Sequence, residues 1–310
     1  MESLNRMALE LVDEAIDFAD ELAIETETLD NGATVLDFGV DTPGGYEAGL
    51  LLAELQTGGL ATVQTESGEV DGVPIPHTTL HTDHPAISLL CSQKAGWEVS
   101  VGEFEGLGSG PARALVAEED EFRRIGYADA SDFATLCLES DTLPDEAVAD
   151  HVADMTNTDP GSVFLPTFRT DSITGSVTLA ARAGEMVAFR LAELGYDPLD
   201  IMTVHASAPI APVADGYQAA IARTNDALAY GGKVHVTVDS DFDRFDELPS
   251  TAADEYGRPF ADIFEAADWD FYDVPTDVFA PAQVTVDVLG GETYSHGRAD
   301  EALLAESFGL

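Results

Sequence analysis

Lysine is nearly missing. The 310 residues hold two lysines, Lys94 and Lys233, beside eleven arginines. Against those thirteen bases stand 59 acids, a formal net charge of -46. A surface this negative repels phosphate backbones, which argues against a nucleic-acid partner. It repels anionic membrane surfaces in the same way. Cysteine is scarce too. Cys91 and Cys137 stand outside any CxxC, so neither a disulfide framework nor a thiolate zinc site is expected. No run of 18 apolar residues exists, so no membrane span is expected. The N-terminal segment lacks a basic region and carries acids throughout. It does not read as a signal peptide, and a cytoplasmic location is expected. No repeat of 20–50 residues punctuates the chain.

What is present is enough for a core. Hydrophobic residues make up 45% and aromatics 8%, which argues against global disorder despite the charge. The acids are spread along the whole chain rather than gathered in a tail. In dilute buffer such a surface repels itself. At molar salt the screening length falls to about 3 Å and the repulsion fades. With few lysines and many small residues, the composition reads as that of an extreme halophile.

Apolar spacing predicts a helix over 3–24, a strand over 33–40, a helix to about 55 and a strand over 61–65. Residues 67–84 read as loop, 85–92 as a short apolar segment and 97–101 as a strand. A glycine-rich turn is expected over 106–111, with helices over 129–139 and 144–155. One helix is predicted over 176–194, ended by Gly195. A strand (200–205), a helix (215–230), a strand (233–238), a short helix (261–267), a final strand (284–289) and a final helix (301–307) follow. Strands and helices alternate, giving an α/β (α+β mixed) chain. The length suggests two domains, divided near residue 160 into 1–160 and 161–310. A smaller domain inserted at about 88–160 is the alternative.

Several patterns invite chemistry. His77, His81 and His84 approach a metal-ligand spacing, but Pro85 and Thr79 make the segment loop-like, with three separate fates for the imidazoles. Asp239, Asp241 and Asp243 imitate a calcium loop. Arg244 and Ser250 occupy the positions that need Gly and Glu, so the motif fails. A solvated acidic loop is the plain reading. Gly106, Gly108 and Gly110 give GxGxG rather than GxGxxG. A backbone nest for an anion, assisted by Arg113, stays open. Arg182 and Glu185 lie three apart on a helix. They read either as a surface ion pair of about 0.3–0.5 kcal/mol or as a base held ionised by a guanidinium.

Read together, seven segments carry more. TDHPAI (82–87), SQKAGW (92–97), GLGSGPARAL (106–115) and TGSVTLAARAGE (174–185) are followed by APIAP (208–212), TNDALAYGG (224–232) and the C-terminal APAQVTVDVLGGETYSHG…ESFGL. In this order and spacing the chain resembles the methenyltetrahydromethanopterin cyclohydrolase family over nearly its whole length. The resemblance implies reversible hydrolysis of the methenyl bridge of a reduced pterin to a formyl-pterin. It implies no metal and no cofactor beyond the substrate's own pterin. It also implies a two-domain subunit with the active-site cleft between domains, and a homotrimer.

The bridging carbon is already electrophilic. What it needs is a base toward water and a proton for the departing nitrogen. The family's catalytic pair falls on Arg182 and Glu185. Glu185 is then the base and later the proton donor, and Arg182 positions it. Ala183 and Gly184 replace the larger aliphatics usual in the family, which suggests a more flexible helix. Ser92, Gln93, Lys94, Gly108, Ser109, Gly110, Asn225 and Asp226 are candidate substrate contacts, each of which could equally hold the fold. Asp83 could cap the segment at Pro85. A non-catalytic pterin-binding or one-carbon carrier protein is the competing reading, and tetrahydrofolate the competing carrier.

Overall fold

The computed structural model describes residues 3–270 and 273–310. It divides into two compact units, 1–62 with 86–178, and 63–85 with 179–310. A single cut near residue 160 does not describe this division. The hairpin over 63–85 pairs with a strand more than a hundred residues later, so it leaves the first unit although its neighbours in sequence stay there. An insertion limited to 88–160 misses the same feature.

The first unit holds a mixed sheet. Its strands are β1 (Glu25–Thr28), β2 (Thr34–Asp37), β5 (Trp97–Val101), β6 (Phe104–Ser109), β7 (Ala134–Thr135), β8 (Cys137–Glu139) and β9 (Val163–Phe168). The order is β1-β2-β9-β8-β6-β5, with β7 also on β9. β2 and β8 both run parallel to β9. The helices Leu4–Asp17 and Tyr46–Gln56 bury Ala8, Val12, Leu52 and Leu55 against Leu36, Phe38 and Phe168. The helix Glu146–Thr156 puts Val148 and Val152 against Leu136, Leu138 and Leu165. Its N-cap Asp145 accepts the amides of Ala147 and Val148, as a capping aspartate should.

The second unit holds a six-stranded sheet. β3 (Thr62–Val70), β4 (Val73–Thr82), β10 (Ile201–Pro209), β11 (Lys233–Val238), β12 (Gln283–Val288) and β13 (Thr293–Gly297) run in the order β13-β12-β11-β10-β4-β3. β10 pairs antiparallel with both β4 and β11, β12 antiparallel with β13, and β11 parallel with β12. The apolar side of β10 and β11, Val204, Ala206, Val234 and Val236, is buried. The helix Ala183–Leu194 packs there. Its small residues set the spacing. A Cβ on Gly184 would lie 2.9 Å from Val204 Cγ1, so glycine lets this helix lie close on the sheet.

Several sequence expectations change. Residues 67–84 are no loop but the β3–β4 hairpin, turned at Asp71–Gly72 with φ of 48° and 77°. Two successive positive φ values are what a two-residue hairpin turn needs. Residues 106–109 are part of β6, not a turn. The expected helix over 129–139 contains β7 and β8, whose short apolar run is buried in the sheet. The first helix stops at Phe18, and β1 and β13 were not anticipated. Among the described residues no helix is long and apolar enough to cross a membrane.

Candidate active site

The predicted helix over 176–194 is two helices, Ile173–Ala180 and Ala183–Leu194, broken at Ala181–Arg182. Arg182 is the N-cap residue of the second, with φ -87° and ψ -5°. Glu185 therefore sits in its first turn. The positive end of the helix macrodipole favours a carboxylate there.

Both side chains are largely buried, 11% exposed for Arg182 and 8% for Glu185. The surface ion-pair reading fails on that burial. Arg182 donates to Glu185 Oε2 through Nε at 3.1 Å and Nη2 at 2.9 Å. Both bonds end on the same oxygen. Glu185 thus keeps Oε1 as an acceptor for another partner, with its orientation fixed from the Oε2 side. A carboxylate held so is arranged to take a proton from a water molecule. Gly184 lies between the pair, and its contact with the sheet fixes the turn that carries both. The flexibility expected from Ala183 and Gly184 gives way to close packing.

The other candidates are placed differently. Ser92 is buried and donates to the Gln56 carbonyl at 2.6 Å. Gln93 is buried beside it in the π-helical turn Ala86–Gln93. Lys94 reaches Glu121 at 2.5 Å and Glu119 at 3.5 Å. Gly108 and Ser109 lie in β6 between β5 and β8. The Gly110 amide donates to the Ser92 carbonyl. The anion nest therefore does not form from these glycines, because sheet and turn bonds engage the backbone. Asn225 turns back to its own helix at the Ile221 carbonyl. Asp226 accepts the Phe260 amide at 2.8 Å and the Ser307 hydroxyl at 2.6 Å. Burial pushes its carboxyl up to about 6. It joins the helix Glu301–Phe308 to the segment at Phe260.

His77 and His81 lie on β4, four residues apart on an extended strand. That is roughly 13 Å of chain, too far to share a metal ion. His81 stacks instead on His205 of β10. Among the described residues no group of three or more His, Cys, Asp or Glu is arranged to hold a metal ion. Cys91 and Cys137 are buried thiols. Burial pushes the Cys91 thiol up to about 12.

Sequence reasoning passed over one acidic edge. Asp37, Glu139 and Thr170 stand at or just beyond the C-terminal ends of β2, β8 and β9. Asp37 accepts the amides of Gly39, Val40, Asp41 and Thr42. Glu139 accepts the Thr170 hydroxyl at 2.5 Å. Ligands of open α/β sheets gather at such strand ends. The signal lay in the parallel pairing, which needed β8 to be recognised as a strand.

A cyclohydrolase family model, described as Cyclohydrolase (MCH), matches residues 3–308. The chain is 57% identical over 310 residues to a methenyltetrahydromethanopterin cyclohydrolase of Halobacterium salinarum, covering 100% of both. It is 41% identical over 315 residues to the protein of that name in Methanocella arvoryzae, covering 100% of this chain and 99% of the relative. With the one in Methanococcoides burtonii the identity is 37% over 317 residues, again with 100% and 99% covered.

Proposed function

This chain belongs to the methenyltetrahydromethanopterin cyclohydrolase family, and from that membership we propose how its residues perform the hydrolysis. The substrate is a 5,10-methenyl reduced pterin of the tetrahydromethanopterin type. The product is the 5-formyl form. The observation that carries the mechanism is the buried Arg182–Glu185 pair, with both arginine bonds on one carboxylate oxygen.

Glu185 takes a proton from water as the water oxygen bonds to the cationic bridging carbon. The adduct is then neutral and Glu185 protonated. Glu185 returns that proton to the departing nitrogen as the C–N bond breaks. The adduct hydroxyl becomes the formyl carbonyl and loses its own proton. One proton is released per turnover. Arg182 keeps Glu185 aimed through both halves. A low-dielectric setting strengthens that hold.

Gly184, one of the two departures from family usage, has a packing reason of its own, which weakens the non-catalytic carrier reading. The remaining substrate contacts are proposed among Ser92, Gln93, Lys94, Gly108–Gly110, Asn225 and Asp226. The internal bonds of most of these side chains leave less for a ligand. A homotrimer, metal-free catalysis and a cytoplasmic location complete the reading. The Halobacterium relative supports a salt-adapted protein.

The test is methenyl absorbance in about 2 M salt, where screening is nearly complete. Wild type and Glu185→Gln are run with methenyl-tetrahydromethanopterin and methenyl-tetrahydrofolate. Rapid loss of absorbance with one carrier, absent in the variant, is expected. Binding without turnover by the wild type favours the carrier reading.

A further inference from the structure

The acidic stretch that failed as a calcium loop forms one side of an aromatic recess. Phe242, Phe245, Tyr294 and His296 wall it, and Asp241, Asp243 and Asp246 stand among them. Its volume is about 530 Å3, within the size of small-molecule sites. The rings form a continuous series. Phe242 meets Phe245 edge-on at 5.8 Å, and Phe245 meets Tyr294 at 5.6 Å. His296 stacks on Tyr294 at 6.3 Å. Tyr196 backs Phe242 at 5.5 Å. The Tyr294 hydroxyl donates to Asp241 Oδ2 at 3.1 Å, which fixes that ring.

We propose that this recess binds a small quaternary ammonium ion. Aromatic faces present negative quadrupole to a cation and an apolar surface to its alkyl groups. The three aspartates add charge of the matching sign. A bare divalent metal fits poorly, because among the described residues no three His, Cys, Asp or Glu side chains are grouped to hold one. The local base does not fill the role. Arg244 forks onto Glu247 at 2.7 and 2.8 Å and donates to the Leu194 carbonyl at 3.1 Å. In molar salt, carboxylates alone hold a cation weakly. The rings are what select an alkylated ion over the inorganic cations of a salt-rich solution.

Leu194 ends the helix that Arg182 and Glu185 begin. The recess therefore lies at its far end, about 18 Å along the axis. Occupancy does not need the catalytic reading, and turnover does not need occupancy.

The experiment is calorimetric titration in about 2 M KCl with choline and with 3,3-dimethyl-1-butanol, its neutral isostere. Choline is expected to bind at least about tenfold more tightly than the alcohol. Tyr294→Leu and Phe242→Leu are each expected to weaken choline by about three- to thirtyfold. Near-UV circular dichroism and cyclohydrolase turnover should remain at wild-type levels. If one leucine variant misfolds, the other decides. Absence of choline binding overturns the proposal, as does equal binding of the two probes. So does wild-type affinity in a folded ring variant that weakens only on Asp243→Asn with Asp246→Asn.

Discussion

Two buried arginines in this chain each hold a glutamate, and they hold it differently. Arg113 is fully buried in the first unit. Its Nε and Nη2 fork onto both oxygens of Glu119. Its Nη1 serves the carbonyls of Leu90, Ser92 and Lys94. The Phe122 ring lies 5.5 Å from the guanidinium, and Lys94 ties in Glu121. Every group there is spent on the fold. Arg182 instead binds one oxygen of its partner and leaves the other available. The comparison teaches that charge and burial do not mark a catalytic pair. The proposed catalytic role of Arg182 and Glu185 rests instead on an acceptor held in place and left uncommitted.

The largest effect should come from Glu185→Gln. Removing a general base costs about 10²–10⁴ in rate, so kcat should fall by that much while the melting temperature in molar salt stays near wild type. Near-normal turnover would end the distinction between the two pairs. Arg113→Met should do the reverse. Losing the fork onto half-buried Glu119 and the donor that serves three carbonyls is expected to cost about 1–3 kcal/mol of stability, read by denaturant unfolding at high salt. A cost below about 1 kcal/mol would mean that Arg113 is no strut.

The acids sharpen the contrast through pH. Burial drives the Glu121 carboxyl upward, but the Lys94 ammonium outweighs it and holds the group below its usual value. Its contribution to stability is therefore present above the ordinary glutamate range and lost as pH falls through the lowered value. Asp226, buried without such a cation bond, shows the opposite sign. With its carboxyl at about 6, the folded chain holds the proton more tightly than the unfolded chain. That contribution is full below about pH 4 and lost as pH rises through 6. Asp226→Asn should flatten this slope and add on the order of 2 kcal/mol above pH 6, seen in melts across pH. A steeper slope would overturn the assignment. The smallest effect is expected from Gly184→Val. Its side chain must displace Val204, at about 1–2 kcal/mol, with kcat falling as the turn under Glu185 shifts. Unchanged stability and rate would deny Gly184 its packing role.

Much of this was legible in the sequence, for physical reasons. Amphipathic periodicity marked the helices that cover the sheets, and the spacing of Arg182 and Glu185 was read before any fold. The break at Arg182 was not legible, because no proline marks it and the nearby glycine, Gly184, lies two residues beyond it inside the second helix. β8 was missed because a short buried strand and a buried helix share one apolar pattern. The Asp71–Gly72 turn was a usable hairpin signal, hidden by the prolines and histidines around it. The internal ties of Lys94 and Asp226 depend on partners far along the chain, which composition and spacing do not show.

The interleaving of the two units has a consequence for the ribosome. β4 is complete some 120 residues before its partner β10. At roughly 5–20 residues per second of synthesis, that is about 6–24 seconds with one edge of a hairpin unpaired. β2 waits slightly longer for β9. The first unit has all its residues once Thr178 emerges, the second only with residue 310, and a nascent chain cut before β9 owns no completed sheet. The waiting β4 strand carries no acid, so charge does not guard its edge; Pro74 and Pro76, which lack an N–H, are what make it a poor template for a neighbouring chain.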